Sequence, residues 1–167
     1  MAWEYSPPLV SEKTWCDECS APLTTATEKP AEVTVYTRAG TEFRQHKRKI
    51  CSNHFCKKTF SYGYSLFNGR KRYDTISKDT KFLVTSHETA FSLDFMYEMT
   101  LHMVHCNSSF SGLCDVYNNL HGLDGSEVYR QVLHQKRLTS GFFLYSFLEM
   151  RRNPSHFSGK NLQGIEG

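Results

Sequence analysis

An α+β fold is what this sequence predicts, with a small β module first and a three-helix unit after it. Three observations predict it. Cys16 and Cys19 are separated by two residues and Cys51 and Cys56 by four, so two short thiol pairs bracket one stretch of chain. Between and just after them, apolar and polar residues alternate with the period of strands. Past Thr80 the apolar residues recur every three or four positions, the period of helices.

In chain order, residues 1–14 read as a leader carrying Pro7-Pro8, and residues 15–80 as the cysteine module. Within that module Glu32 to Thr37 alternates β-branched and aromatic residues, Ala39-Gly40 supplies a turn, and Thr41 to Arg44 returns. Phe60 to Phe67 is a second alternating run, and Asn68-Gly69 after it is a strong hairpin signal because both residues accept positive φ. Arg70 to Thr75 then pairs back. Residues 81–152 form the helical unit: Lys81 to Val84 is a short strand-like run, and Thr85 with Glu88 fits a capping box that starts a helix near Ser86. Phe91, Phe95, Met99 and Met103 give that helix one apolar stripe. A second helix runs through Phe110, Leu113, Cys114, Tyr117 and Leu120 to His121-Gly122, where glycine stops it. Ser126 is expected to cap a third, which ends at Arg151-Arg152, where cations suit the helix dipole. Residues 153–167 read as a disordered or truncated tail rich in Ser, Gly and Asn.

The thiol spacing carries the first chemical expectation. Thiolates are soft ligands, and two pairs on tight turns close a tetrahedron around Zn²⁺ without leaving a position open to water. Cys16, Cys19, Cys51 and Cys56 are therefore the expected metal ligands of a zinc-ribbon-like module, with His54 as an alternate ligand and His46 a weaker one. A thioredoxin-like role for Cys16-Asp17-Glu18-Cys19 is disfavoured, because Pro22 and Thr24-Thr25 do not open a helix. Cys106 and Cys114 are expected in the core as small hydrophobes. His102, His105, His121 and His134 have no repeated spacing and read as surface or boundary residues.

Charge is segregated. From Arg44 to Arg72 there are nine Lys or Arg and no acid, whereas the rest of the chain has eleven bases against seventeen acids. A net +3 thus conceals a strongly basic segment on an acidic body. Such a segment suits a phosphate backbone, whose neutralisation releases counterions. Arg44, Lys47, Arg48, Lys49, Lys57, Lys58, Arg70, Lys71 and Arg72 are the expected phosphate contacts of a DNA partner. Tyr62 and Tyr64 are the residues expected to reach bases. The bland alternative is that Phe55, Phe60, Tyr62, Tyr64 and Phe67 simply pack a small module.

Other classes are disfavoured. No run approaches the roughly 20 apolar residues of a membrane span, and Met1 to Leu9 holds Glu4 and two prolines where a signal peptide needs a basic start and an apolar middle. An intracellular protein is expected, in which paired cysteines hold metal more readily than disulfides. Asp74, Asp94, Asp115 and Asp124 do not form the carboxylate set of a two-metal nuclease, and no phosphate-cradling glycine loop or nucleophile elbow is present.

Several segments together, in their order and spacing, carry a resemblance. They are Lys49-Ile50-Cys51 to Cys56, Phe60 to Tyr64, Tyr73-Asp74, Phe82 to Phe91, Ser109-Phe110, Tyr117-Asn118 with His121-Gly122, and Lys136-Arg137-Leu138 to Tyr145. Over about residues 14–150 the chain resembles the cysteine-cluster region associated with KDZ (Kyakuja-Dileera-Zisupton) transposases of animals. The resemblance implies that Cys16, Cys19, Cys51 and Cys56 are cluster cysteines binding zinc, that the partner is transposon DNA, and that the protein is nuclear. It also implies no catalysis by these residues, because the family's ribonuclease-H-like domain lies outside this chain and would be a partner. Helix–turn–helix readout from Ser108, Ser109, Ser111 and Asp115 is less expected than plain packing, since only Asn118 and Asn119 offer base-reading amides. The rival expectation is a zinc-stabilised protein-interaction scaffold that docks an acidic partner through Phe60, Tyr62, Tyr64 and Phe67.

Overall fold

The computed structural model describes residues 6–123 and 129–153 and is α+β, as expected. Strands β1 (Leu23–Thr25), β2 (Ala31–Thr37), β3 (Gly40–His46), β4 (Lys49–Cys51) and β5 (Thr59–Ser61) come first. β6 (Tyr64–Phe67), β7 (Arg70–Tyr73), β8 (Phe82–Val84) and β9 (Thr89–Ser92) follow. Among the described residues three helices come after the strands: α1 (Leu93–Cys106), α2 (Phe110–Leu120) and α3 (Gln135–Arg152).

The strands sort into two sheets, and not in the order of the chain. An antiparallel sheet of five runs β1-β4-β5-β6-β7, and a sheet of four runs β3-β2-β9-β8 with β2 and β9 parallel. The hairpin of β2 and β3, expected inside the cysteine module, thus belongs to a different sheet, whose other two strands lie beyond residue 80. Alternation marks β2 as a strand; it carries no information about a partner some 55 residues further on.

The four-stranded sheet is the middle of three layers. One face of it, with Val33, Val35, Val84 and Ala90 joined by Leu9, meets Tyr62 and Tyr64 of the five-stranded sheet. Tyr36, Leu83 and Phe91 point from the other face into the main core, against Phe95, Met96, Leu113, Tyr117, Leu138, Tyr145 and Leu148 of the helices. β2 is therefore buried on both sides, as its run of four buried residues shows. Helix α3 approaches β9 so closely that a Cβ at Gly141 would lie 2.7 Å from the Phe91 ring.

Three local expectations shift. Residues 7–13 are not a separate leader: Leu9 is buried and exchanges backbone hydrogen bonds with the end of β3, donating to Gln45 O and accepting from Lys47 N. The Thr85 to Glu88 stretch is the turn between β8 and β9, where Thr85 and Ser86 both donate backbone N–H to Thr89 O. α1 begins only at Leu93, because Thr89 to Ser92 is held in strand form by parallel pairing to β2. α3 begins at Gln135, with Tyr129 in a preceding turn; the expected cap Ser126 lies outside the described residues, as do residues 154–167 of the tail. Other signals are met: Asn68 and Gly69 both take positive φ in the turn joining β6 and β7, and Gly122 (φ 62°) follows α2.

Candidate metal centre and basic surface

Two knuckles built alike bring the cysteines together. In the first, Cys16 N donates to Ala21 O (2.8 Å), Ser20 N donates to Cys16 O (2.9 Å), and a bridge between Trp15 and Pro22 closes the base. In the second, Cys56 N donates to Asn53 O (3.0 Å), and Asn53 Oδ1 accepts from Phe55 N (3.0 Å). The residue after the second cysteine is left-handed in both, Ser20 at φ 57° and Lys57 at φ 52°. Pairing of β1 with β4 sets Leu23 opposite Cys51 and so holds the knuckles side by side.

The outcome is a group of four sulfurs. Cys16 Sγ lies 3.7 Å from Cys56 Sγ and Cys19 Sγ 3.4 Å from Cys51 Sγ, and all four are within 4.8 Å of one another. A tetrahedral ion with metal–sulfur bonds of about 2.3 Å sets its sulfurs about 3.8 Å apart. The cluster can therefore hold a metal ion. It is the one group of three or more metal-ligating side chains among the described residues. His54 is exposed and outside it, and His46 is buried elsewhere with Nε2 unpartnered. The element next after Cys19 is strand β1, so the Cys16–Cys19 pair does not open a helix as a thioredoxin-like motif would.

Electrostatics separates Cys19 from Cys51 and Cys56. The Ala21 backbone amide, helped by the neighbouring sulfurs, brings the Cys19 thiol down to about 7. Burial, with negative sulfur neighbours, pushes Cys51 up to about 12. Cys56 gains from the Lys58 backbone amide, yet burial and its sulfur neighbours leave it raised. Four crowded thiols resist becoming four thiolates unless a cation neutralises them, which is the condition a metal relieves. Phe60, Ala21 and Leu23 close the cluster from beneath.

The nine cations do not form one free patch. Lys58 is 1% exposed and lies between Asp17 (2.6 Å) and Glu18 (2.9 Å), the two residues inside the first thiol pair. The expectation that it contacts phosphate is corrected: it ties the second knuckle to the first. Burial alone would lower its pKa, but the two carboxylates outweigh that and raise it. Arg44 pairs with Glu42 and lies over the Phe82 ring, and Arg48 pairs with Glu28. Lys49 donates to Lys13 O, while Lys71 lies 3.9 Å from the Tyr64 ring centroid and reaches Thr85 O. Lys47, Lys57, Arg70 and Arg72 have no acidic partner among the described residues. Arg70 and Arg72 stand exposed on β7, the edge of the five-stranded sheet.

Nor are the two tyrosines free. Tyr62 Oη accepts from Lys81 N and Phe82 N, and Tyr64 sits in the seam between the sheets against Tyr73 and His46. Packing, the bland alternative, describes both. Within the cysteine module the exposed aromatics are instead Phe55 (98%) and Trp15 (62%), on the knuckles. Their only sequence signal is position, each standing one residue before a ligand cysteine.

The remaining expectations divide. Cys114 is buried but Cys106 is exposed, because α1 ends there beside a left-handed Asn107. Asp74 bonds Lys13 and Asp94 sits in the first turn of α1, while Asp115 is exposed on α2 and Asp124 lies outside the described residues. On α2, Ser109 caps by accepting from Gly112 N. Asn118 spends its amide on the backbone of Leu133, donating 3.1 Å to O and accepting 2.9 Å from N. α2 thus packs, as expected, and the Asn118 amide near its C-terminal end is occupied. None of the described helices is long and apolar enough to cross a membrane.

A chain with four clustered cysteines on paired knuckles and a layered α+β body is a candidate metal-binding protein. No protein-family model matches it, and no curated protein or solved structure is similar to it at a significant level.

Proposed function

We infer that the four sulfurs hold a structural Zn²⁺ and that the module it staples is a non-catalytic binder of nucleic acid. The module is of the kind associated with KDZ transposases or descended from one, and would work in the nucleus. The observation that carries this is the convergence of Cys16, Cys19, Cys51 and Cys56. An all-thiolate tetrahedral set favours zinc, and four protein ligands leave no position for a reacting water. Nucleic acid as partner is supported by the acid-free segment and by the cations Lys47, Lys57, Arg70 and Arg72. The test has two parts. Purified protein should contain one zinc per chain by mass spectrometry, lost on chelation. Affinity for a DNA duplex should fall linearly with log salt, and neutralising those four cations should flatten the slope by about one unit per contact. A salt-independent affinity would sink the nucleic-acid reading and leave the zinc reading standing.

A second reading, the protein-interaction scaffold, has an observation of its own. Tyr97, Leu101 and Val104 on α1, and Phe143, Phe147 and Met150 on α3, are exposed at helical spacing. A partner bound there would tolerate salt and be lost on Phe147→Asp.

A further inference from the structure

Phe55 is the most exposed large apolar side chain described, at 98%, and its backbone is not loose. Asn53 holds it from both of its oxygens, the side chain accepting from Phe55 N and the carbonyl accepting from Cys56 N and Lys57 N. The next residue is a ligand cysteine. Trp15, 62% exposed, stands in the same relation to Cys16 on the other knuckle. Cys16 Sγ and Cys56 Sγ are 3.7 Å apart, so the two knuckles that carry these aromatics adjoin. Scattered apolar residues on a surface need no explanation, but two large exposed aromatics, each one residue before a cysteine of the same sulfur cluster, offer a paired apolar contact beside it.

The charges beside them favour one occupant. Lys57 and His54 are exposed next to Phe55, and Lys57 has no acidic partner among the described residues. The acids of the first knuckle, Asp17 and Glu18, are engaged by Lys58. An aromatic face with an available cation fits an unstacked base and its phosphate.

We propose that Trp15 and Phe55 form a base-stacking platform on the metal knuckles, so that single-stranded nucleic acid is preferred to duplex. This rests on the nucleic-acid reading above and names the strand form that the reading leaves open. Stacked bases in a duplex present only edges and backbone, whereas a single strand can lay a base on each ring.

The test compares a labelled oligothymidylate with a mixed duplex of equal length, by anisotropy across a salt series, using the full zinc-loaded chain. The single strand should bind more tightly, and Phe55→Leu and Trp15→Leu should each weaken it at least about fivefold with little effect on the duplex. The salt slope should stay the same in both variants, because they remove no cation. Phe55→Trp should restore the preference. Both sites are exposed, and unchanged zinc content and circular dichroism would show the fold intact. Equal binding of both strand forms, unaltered by the two leucine variants but steeply salt-dependent, would overturn the platform and leave nucleic-acid binding standing. No binding to either form would overturn both.

Discussion

The outer five-stranded sheet and the middle four-stranded sheet are of similar size but are held by different means. Around the cysteines only Cys16, Cys51 and Phe60 are fully buried, a cluster too small to hold five short strands by apolar contact. The middle sheet has a buried cluster on each face, with Tyr36, Phe91 and Phe95 stacked at its centre. One region therefore has a sulfur cluster where the other has an apolar core, and on the zinc reading an ion would do there what packing does in the middle sheet. Lys58 follows the same logic: where the core is small, a buried lysine held by two partly exposed carboxylates joins the knuckles in place of apolar side chains.

That contrast makes its strongest prediction for metal loss. Chelation, or Cys51→Ser, should expose the amides of β1 and β4 to β6 to hydrogen exchange while α1 and α3 stay protected. The free energy involved is on the order of 10 kcal/mol for a structural zinc site. Equal exposure of all three helices would mean that the two sheets fold as one unit and the contrast is false.

The seam between the sheets should respond to pH. His46 is buried there against Tyr64, and burial first, then the charges of Arg48, Lys71 and His87, hold it down to about 4. The unfolded chain takes up that proton near 6.5, so the contribution is complete above that value and is lost as pH falls towards 4. It amounts to about 3 kcal/mol. Denaturant melts of the wild type and His46→Phe should diverge in slope between those pH values, and parallel curves would remove His46 from the account.

On the helical side, Gly141→Ala places a methyl 2.7 Å from the Phe91 ring and should cost about 1–3 kcal/mol, with no change in zinc content. A neutral result would show that α3 can shift away from β9. The smallest effect is expected at Arg48→Ala. Both it and Glu28 are largely exposed, so solvent screening leaves their pairing within about 0.5 kcal/mol.

Much of this was legible from local pattern. Turns and helix stops are decided by a few adjacent residues, so Asn68-Gly69 and Gly122 fall where their chemistry places them. Likewise, two close thiol pairs are a local signal, and the sulfurs meet. Thr85 to Glu88 misled for a physical reason. Its side chains offer the same hydrogen bonds to a turn as to a helix start, and only pairing of β9 with β2 selects between them.

Residue order alone supplied the α+β class, the four cysteines that cluster and an imbalance of charge, because each depends on composition or short spacing. The folded chain was needed to decide which sheet each strand joins, which cations meet carboxylates, and which aromatics face water. Those outcomes depend on contacts between residues tens of positions apart. Lys58 beside Asp17 and Glu18 is the clearest of them: a base counted as part of a phosphate-binding face is, in three dimensions, the bolt between two metal knuckles.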